Sequence, residues 1–233
     1  MKRGQKTEKA VATRELIYQR ALELFRSKSF ESSTMRDIAE SCELATGASY
    51  YYYQTKEHLI LEFYRRSQAT ASTFVDSLTI EKEDFPVRLR KLLEQRFESL
   101  RPDRNLVKVL SRVSMNIESP LSPFSPSTSD LRDESILLHK RIIQGTNLKL
   151  RPDLEKRLPK FLWLFQMGLL FLWVHDDSPH QKKTHQLMQR GISIVIHIIR
   201  LLRVPVVRNI FVSILDLIDT IDDVILTKAS TRS

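Results

Sequence analysis

Around residue 50 the sequence reads GASYYYYQTKEHL, Gly47 to Leu59, with four tyrosines in succession. Consecutive side chains on a helix step round by about 100°, so four rings in a row cannot all enter one core. A tyrosine left outside has a ring that packs and a hydroxyl that can donate to a phosphate oxygen. Two other groupings could do chemistry. Asp216, Asp219, Asp222 and Asp223 fall on one helix face and could hold Mg²⁺ with a diphosphate, as in an isoprenoid-type enzyme. That chemistry needs a second acidic cluster, and Asp176-Asp177, beside a proline-started helix, serves poorly, so a solvated face is the simpler reading. His175 next to Asp176 resembles a catalytic pair, yet no nucleophile stands at a recognisable spacing. No enzyme motif, metal-ligand pattern or cofactor motif is evident, so neither metal nor cofactor is expected.

The balance of charge agrees with a polyanion as partner. Lys and Arg number 37 against 28 Asp and Glu, a formal net charge of +9 over 233 residues. Hydrophobic residues make up 42%, enough for a proper core. Cys42 has no mate in the chain, which excludes an internal disulfide framework and an all-cysteine metal site. MKRGQKTEKAVATRE lacks the apolar run of a secretory signal, and the apolar stretch Phe161 to Val174 is too short to cross a bilayer. A cytoplasmic protein without membrane partners is expected.

The elements that must position these residues read as helices throughout. Glycines number only 5, and apolar residues recur every three or four positions. Leu16, Ile17, Ala21, Leu24 and Phe25 stripe a first helix from about Val11 to Lys28. Thr34 and Asp37 match a capping box that opens a second, ending near Cys42. A third, short helix holds the tyrosines, and Thr55 caps a fourth running from Lys56 into the seventies. Phe85–Leu100 and Arg104–Ile117 are amphipathic. ESPLSPFSPST, with three Ser-Pro pairs, predicts a loop or extended connector. Ser125-Pro126 starts a further helix. Strongly apolar helices follow at Pro159–His175 and Ser178–Arg203, the second restarting on Ser178-Pro179-His180-Gln181. A last helix spans about Val206–Leu226. Within the Ser178–Arg203 segment, Ile194-Val195-Ile196 alone could be a strand, but the long helical period around it favours helix.

Three short helices, the second and third joined by Cys42-Glu43-Leu44-Ala45, form the helix-turn-helix arrangement that lays one helix in the major groove. The segment Thr34 to Tyr64 resembles the DNA-binding domain of the TetR family of bacterial transcriptional repressors. The resemblance rests on Met35-Arg36-Asp37-Ile38-Ala39, Gly47, the aromatic run closing the third helix, and Thr55-Lys56-Glu57 with Leu59. It covers about residues 13 to 64; beyond these only the all-helical pattern and the length agree. It implies an all-α fold, with an N-terminal three-helix helix-turn-helix domain at 13–58. An effector-binding and dimerisation domain follows at 59–228, between a basic, disordered arm at 1–12 and a tail at 229–233. It also implies a palindromic operator in double-stranded DNA, a homodimer, a largely apolar small-molecule effector and no catalysis. Arg36, Thr46, Gly47 and Ala48 are the implied base readers. Tyr50, Tyr52 and Lys56 are implied backbone contacts, and Thr34 is either another or simply a cap. Tyr53 is implied to pack inward, while Tyr51 is left unassigned.

The sequence departs from the family pattern in three places. Glu43 stands where glycine is usual in the turn, and Ala45 where Ser or Thr usually caps the recognition helix. Ser49 replaces a large apolar residue, weakening local packing or freeing a hydroxyl for DNA. Lys2, Arg3, Lys6 and Lys9 could reach a minor groove. In Ser178–Arg203 a polar stripe of Gln186, Arg190, Ser193, His197 and Arg200 is narrow, and apolar residues fill nearly everything else. Trp173, Met188, Ile192, Val195 and Ile199 are the expected dimer contacts, the alternative being a monomer with a deep core. Phe97, Met115 and Trp163 could line a ligand pocket, ordinary core packing being the simpler reading of each, and Gln166 could orient a ligand, an interhelical hydrogen bond being the simpler reading there. A basic architectural protein without sequence preference is the rival function.

Overall fold

Thr34 opens the second helix as its side chain dictates. Its Oγ1 accepts from the Asp37 backbone N–H at 3.1 Å, and the Asp37 carboxylate accepts from the Thr34 N–H at 2.7 Å. In the computed structural model that helix, α2, runs Met35–Ser41, after α1 at Lys2–Ser27. The turn into α3, Thr46–Tyr52, places Glu43 at φ 56°, a left-handed conformation that costs a non-glycine about 1–2 kcal/mol. Ala45 caps α3 without any side-chain hydrogen bond. Thr55 Oγ1 accepts from the His58 N–H at 3.3 Å and starts α4, Lys56–Ile80.

The structure describes residues 2–80, 83–144, 146, 148, 150–202, 209–214, 216, 217 and 220, with side chains from residue 8 onward and none at 79 and 80. After α4 come α5 (Phe85–Leu100), α6 (Arg104–Met115), α7 (Ser129–Ile143), α8 (Pro152–His175) and α9 (Lys182–Leu201). Residues 209–214 are also helical. No strand occurs among the described residues, so the all-α expectation holds and Ile194-Val195-Ile196 is helical. Of the rest of the expected last helix, residues 216, 217 and 220 are helical, while Asp219, Asp222 and Asp223 lie outside the described residues. Asp216 pairs with Arg157.

Four boundaries differ from the sequence reading. α1 begins at Lys2, so residues 2–12 extend the first helix instead of forming a separate disordered arm. Lys, Gln, Glu and Ala are good helix formers, and no proline interrupts them. The side chains of Lys2, Arg3 and Lys6 lie outside the described residues. α6 stops at Met115, short of Ile117. α8 starts at Pro152 and carries Pro159 in its interior, whereas a proline reads most simply as a helix start. The whole helix is long and apolar enough to cross a membrane, unlike its Phe161–Val174 stretch; here it packs on α6, α7 and α9. α9 starts at Lys182, where Asp176 and Ser178 cap it together: the Asp176 carboxylate accepts from the Thr184 N–H and hydroxyl, both at 2.7 Å, and Ser178 Oγ accepts from the Lys183 N–H at 3.1 Å. Burial alone would raise the Asp176 pKa, but the Ser178 and Thr184 donors outweigh it and hold the acid well below the usual range.

One apolar core runs through the molecule, from Ile17, Phe25, Ile38 and Tyr53 through Leu59 and Phe63 of α4 to Phe97, Leu162, Trp173 and Met188. α4 passes unbroken through the expected boundary at residue 58 and packs on α5 and α7. Gly191 of α9 lets the Phe165 ring lie against its backbone, 2.5 Å from where a Cβ would stand.

The Ser-Pro segment is more regular than a loop reading predicts. Ser119, Ser122 and Ser125 each precede a proline, and each Oγ accepts from the N–H two residues on, at Leu121, Phe124 and Ser127 (3.2, 3.4 and 3.2 Å). Each serine carbonyl also accepts from the N–H three residues on, so three equal turns follow one another. The staircase buries Leu121 and stands Phe124 edge-on to Trp163, ring centres 5.9 Å apart.

Candidate nucleic-acid interface

α3 is only seven residues long, so its side chains separate cleanly by direction. Thr46 and Gly47 are exposed at its start and Ala48 is half-buried. An added Cβ at Gly47 would meet nothing in the chain, so no internal packing requires the glycine. Ser49 is fully buried and its hydroxyl donates to the Thr46 carbonyl at 2.8 Å, so it is unavailable to a partner. Of the tyrosines, Tyr51 is 84% exposed and Tyr50 46%, while Tyr53 is buried with its hydroxyl accepting from Arg14 Nε at 3.3 Å. Tyr52 is half-buried against the core, with the Tyr51 ring edge-on to it at 5.2 Å. The sequence placed Tyr53 correctly; it left Tyr51, the most exposed ring, unassigned, and it put Tyr52 further out than it lies.

On α2, Arg36 is exposed and its Nε donates to Glu40 at 2.9 Å, a surface pair one turn apart that another acceptor can replace. Thr34, Tyr50 and Lys56 meet around one shallow depression. Thr34 is committed to its cap. Lys56 departs from expectation: its ammonium donates to the carbonyls of Phe30, Glu31 and Ser33 at 2.9, 3.3 and 3.3 Å and sits 4.5 Å from the Phe30 ring centre. An ammonium has three donors, so the side chain expected on a phosphate is already engaged.

Ion pairs also fasten this head to the rest of the molecule. Arg66 of α4 makes a forked pair with Glu15 of α1 at 2.9 and 2.6 Å, which draws the Glu15 pKa down to about 2. Arg26, at the end of α1, donates from Nε to Asp103 at 2.6 Å, and Asp103 precedes α6.

α4 and α6 also wall a cavity of about 460 Å³ together with α5, α7, α8 and the Ser-Pro staircase. Met115, Trp163 and Gln166 are among its lining residues, Met115 being largely exposed. Phe97 does not: it is enclosed behind the cavity, stacked on Trp173 with ring centres 5.5 Å apart. Sequence reasoning missed Tyr64, Gln68, Arg96 and Phe124 in this lining. Their helical spacing was legible, but which face of α4 and α5 turned to a void was not.

The expected dimer contacts need correcting too. Trp173, Met188, Ile192 and Val195 are buried in their own chain, and Ile199 is partly buried against the same core. Trp173 faces inward from α8, and the other four form the inner stripe of α9. The exposed apolar residues are Leu187, Ile194 and Leu201, two turns apart on α9, with Phe171 and Leu172 on α8. A helix apolar nearly all round has two such stripes, and periodicity alone does not say which one faces in.

Comparison with known proteins accords with this geometry. Residues 17–63 match the family described as bacterial regulatory proteins, tetR family, and residues 88–217 match the tetracyclin repressor-like C-terminal domain. The uncharacterized HTH-type transcriptional regulator YuxN of Bacillus subtilis (strain 168) is 28% identical over 130 residues, 53% of this chain, but the match spans only 42% of YuxN. The probable HTH-type transcriptional regulator YttP of the same organism is 27% identical over 159 residues, 65% of this chain and 72% of its own. Among solved structures, a TetR-family chain from Syntrophomonas wolfei aligns with a TM-score of 0.64 at 16% identity, covering 80% of this chain and 95% of its own. A TetR transcriptional regulator from Nitrosomonas europaea gives 0.54 at 18% identity, covering 78% and 96%. With the C-terminal match alone covering more than half of the 233 residues, the chain belongs to the TetR family of DNA-binding transcriptional regulators.

Proposed function

We propose that this protein is a cytoplasmic repressor that binds a palindromic operator as a homodimer and leaves it when a small molecule fills the cavity. The observation that carries the reading is that the cavity and the DNA-binding head share their supports. α4 begins at the head and lines the cavity with Tyr64 and Gln68, and α6 is tied to α1 through Asp103 and lines the cavity with Leu110 and Met115. A molecule that fits one spacing of α4 and α6 better than another shifts the head with it. A coupling of about 1–3 kcal/mol would release DNA several-fold or more.

The proposed contact surface is Arg36, Thr46, Gly47, Ala48, Tyr50 and Tyr51, with Tyr52 contributing its hydroxyl edge. Arg36 would exchange Glu40 for a guanine, and Gly47, unneeded by packing, would let the α3 backbone approach the groove floor. Tyr50 and Tyr51 would meet phosphates, which position the head without reading sequence. Two heads on a twofold axis would read half-sites about 34–36 Å apart.

Selection of bound fragments from genomic DNA tests this. The expected result is a palindrome held roughly 10³-fold above random DNA. Arg36→Ala should relax one base position of each half-site at a cost of about 1–3 kcal/mol. Binding that depends on salt but on no sequence would replace the operator reading with the architectural one.

A further inference from the structure

α5 carries an arginine where its periodicity calls for an apolar residue. Leu89, Leu92, Leu93 and Phe97 are enclosed, and Arg96 sits among them at 5% exposure. Its Nη1 donates to the Ser67 carbonyl at 3.1 Å and its Nη2 donates to Gln68 Oε1. Among the described residues its Nε has no acceptor, and neither does Gln68 Nε2, so two joined side chains each hold a buried, unused donor. Among the described residues no carboxylate pairs with Arg96.

That is an unusual state for a guanidinium. Removing a charge from water is unfavourable unless an opposite charge and full hydrogen bonding compensate, and here both are incomplete. Burial draws the Arg96 pKa down to about 10, which still leaves it charged at neutral pH. His139 of α7 brings no relief. Its Nδ1 meets the Ser135 carbonyl at 2.8 Å, and burial, reinforced by the Arg96 charge, keeps the ring neutral.

Arg96 and Gln68 both line the cavity described above. Its wall is otherwise mostly apolar, with Phe63, Leu110, Phe124 and Trp163 prominent, and it includes Arg132 but no Asp or Glu. A neutral guest would leave the arginine uncompensated, and a cation would add to its charge. We infer that the cavity takes an amphiphile with an apolar body and a carboxylate-like anionic head, set against the Arg96–Gln68 pair whose charge it compensates. The volume of about 460 Å³ lies in the range that encloses a small ligand. This inference rests on the cavity being the effector site, but it can be tested without DNA.

The full chain is titrated with sodium decanoate, decanol, methyl decanoate and decylammonium, following the fluorescence of Trp163 in the cavity wall. Decanoate should bind about ten-fold or more tightly than decanol, the scale of one charge-assisted hydrogen bond. Arg96→Met should remove that preference while keeping decanol binding. If the methionine variant fails to fold, Gln68→Leu should still narrow the preference. Decanol or decylammonium binding as tightly as decanoate overturns the inference. So does a preference that survives both substitutions, or no binding of any of the four. A parallel titration on operator DNA separates the two claims. Decanoate that binds selectively but leaves DNA in place removes the release mechanism and keeps the anion site. Decanol that releases DNA as well as decanoate does removes the anion site and keeps the release mechanism.

Discussion

The Lys56 ammonium closes the turn between α1 and α2, gathering three carbonyls that would otherwise point into the depression beside Tyr50. Its charge therefore serves the shape of the head. Lys56→Met should lower stability by about 2 kcal/mol, since hydrogen bonds to a charged group are lost, and shift thermal melting by roughly 4–8 °C. The slope of DNA affinity against salt should stay the same; a lysine on a phosphate would reduce it by about 1. This role was not legible in the sequence, because the carbonyl partners lie 23 to 26 residues upstream in a turn whose path no local pattern describes. Tyr53 was legible, through a family resemblance that marks an inward aromatic there. Tyr51 was not, because a seven-residue helix gives too few turns to fix which way its last rings point.

Helix starts set by neighbouring side chains were read well: Thr34 with Asp37, Thr55 at α4, and Ser125-Pro126 ahead of α7 all behave as written. Starts set from a distance were not, as Asp176 capping α9 from eight residues away illustrates. The turn between α2 and α3 lies between these cases. Glu43 stands where the family pattern has glycine, and it is left-handed. Glu43→Gly should relieve that strain and gain about 1 kcal/mol, part of the benefit being lost to the greater freedom of glycine in the unfolded chain. Urea unfolding monitored by circular dichroism measures it; a loss of stability would mean the glutamate side chain holds the turn in a way its geometry does not reveal.

At the scale of the whole molecule, a buried histidine ties stability to acidity. Burial lowers the His139 pKa to about 4, so between pH 4 and the unfolded value near 6.5 the unfolded chain binds more protons than the folded one. Stability contributed by the neutral ring is complete above about pH 6.5 and is lost as the pH falls toward 4, roughly 3 kcal/mol in all. His139→Leu should flatten the unfolding free energy between about pH 5 and 6.5, above the range in which Glu15 and Asp37, each held at about 2 in the folded chain, protonate in the unfolded one. Assembly is the second test at this scale. With Leu187, Ile194 and Leu201 exposed along α9, Ile194→Lys should convert a dimer to a monomer in sedimentation while leaving the fold intact. A variant that still sediments as a dimer would place the contact on another face.

The three Ser-Pro turns beside the cavity have a further effect. Each proline fixes one torsion, and each serine hydroxyl holds an amide that would otherwise seek water, so this flank stays set whether or not a guest is present. For the guest proposed above it would act as a stencil: the guest would have to match the outline of Leu121 and Phe124. Discrimination by length and girth would then come from this stiff edge, leaving the neighbouring helices free to yield.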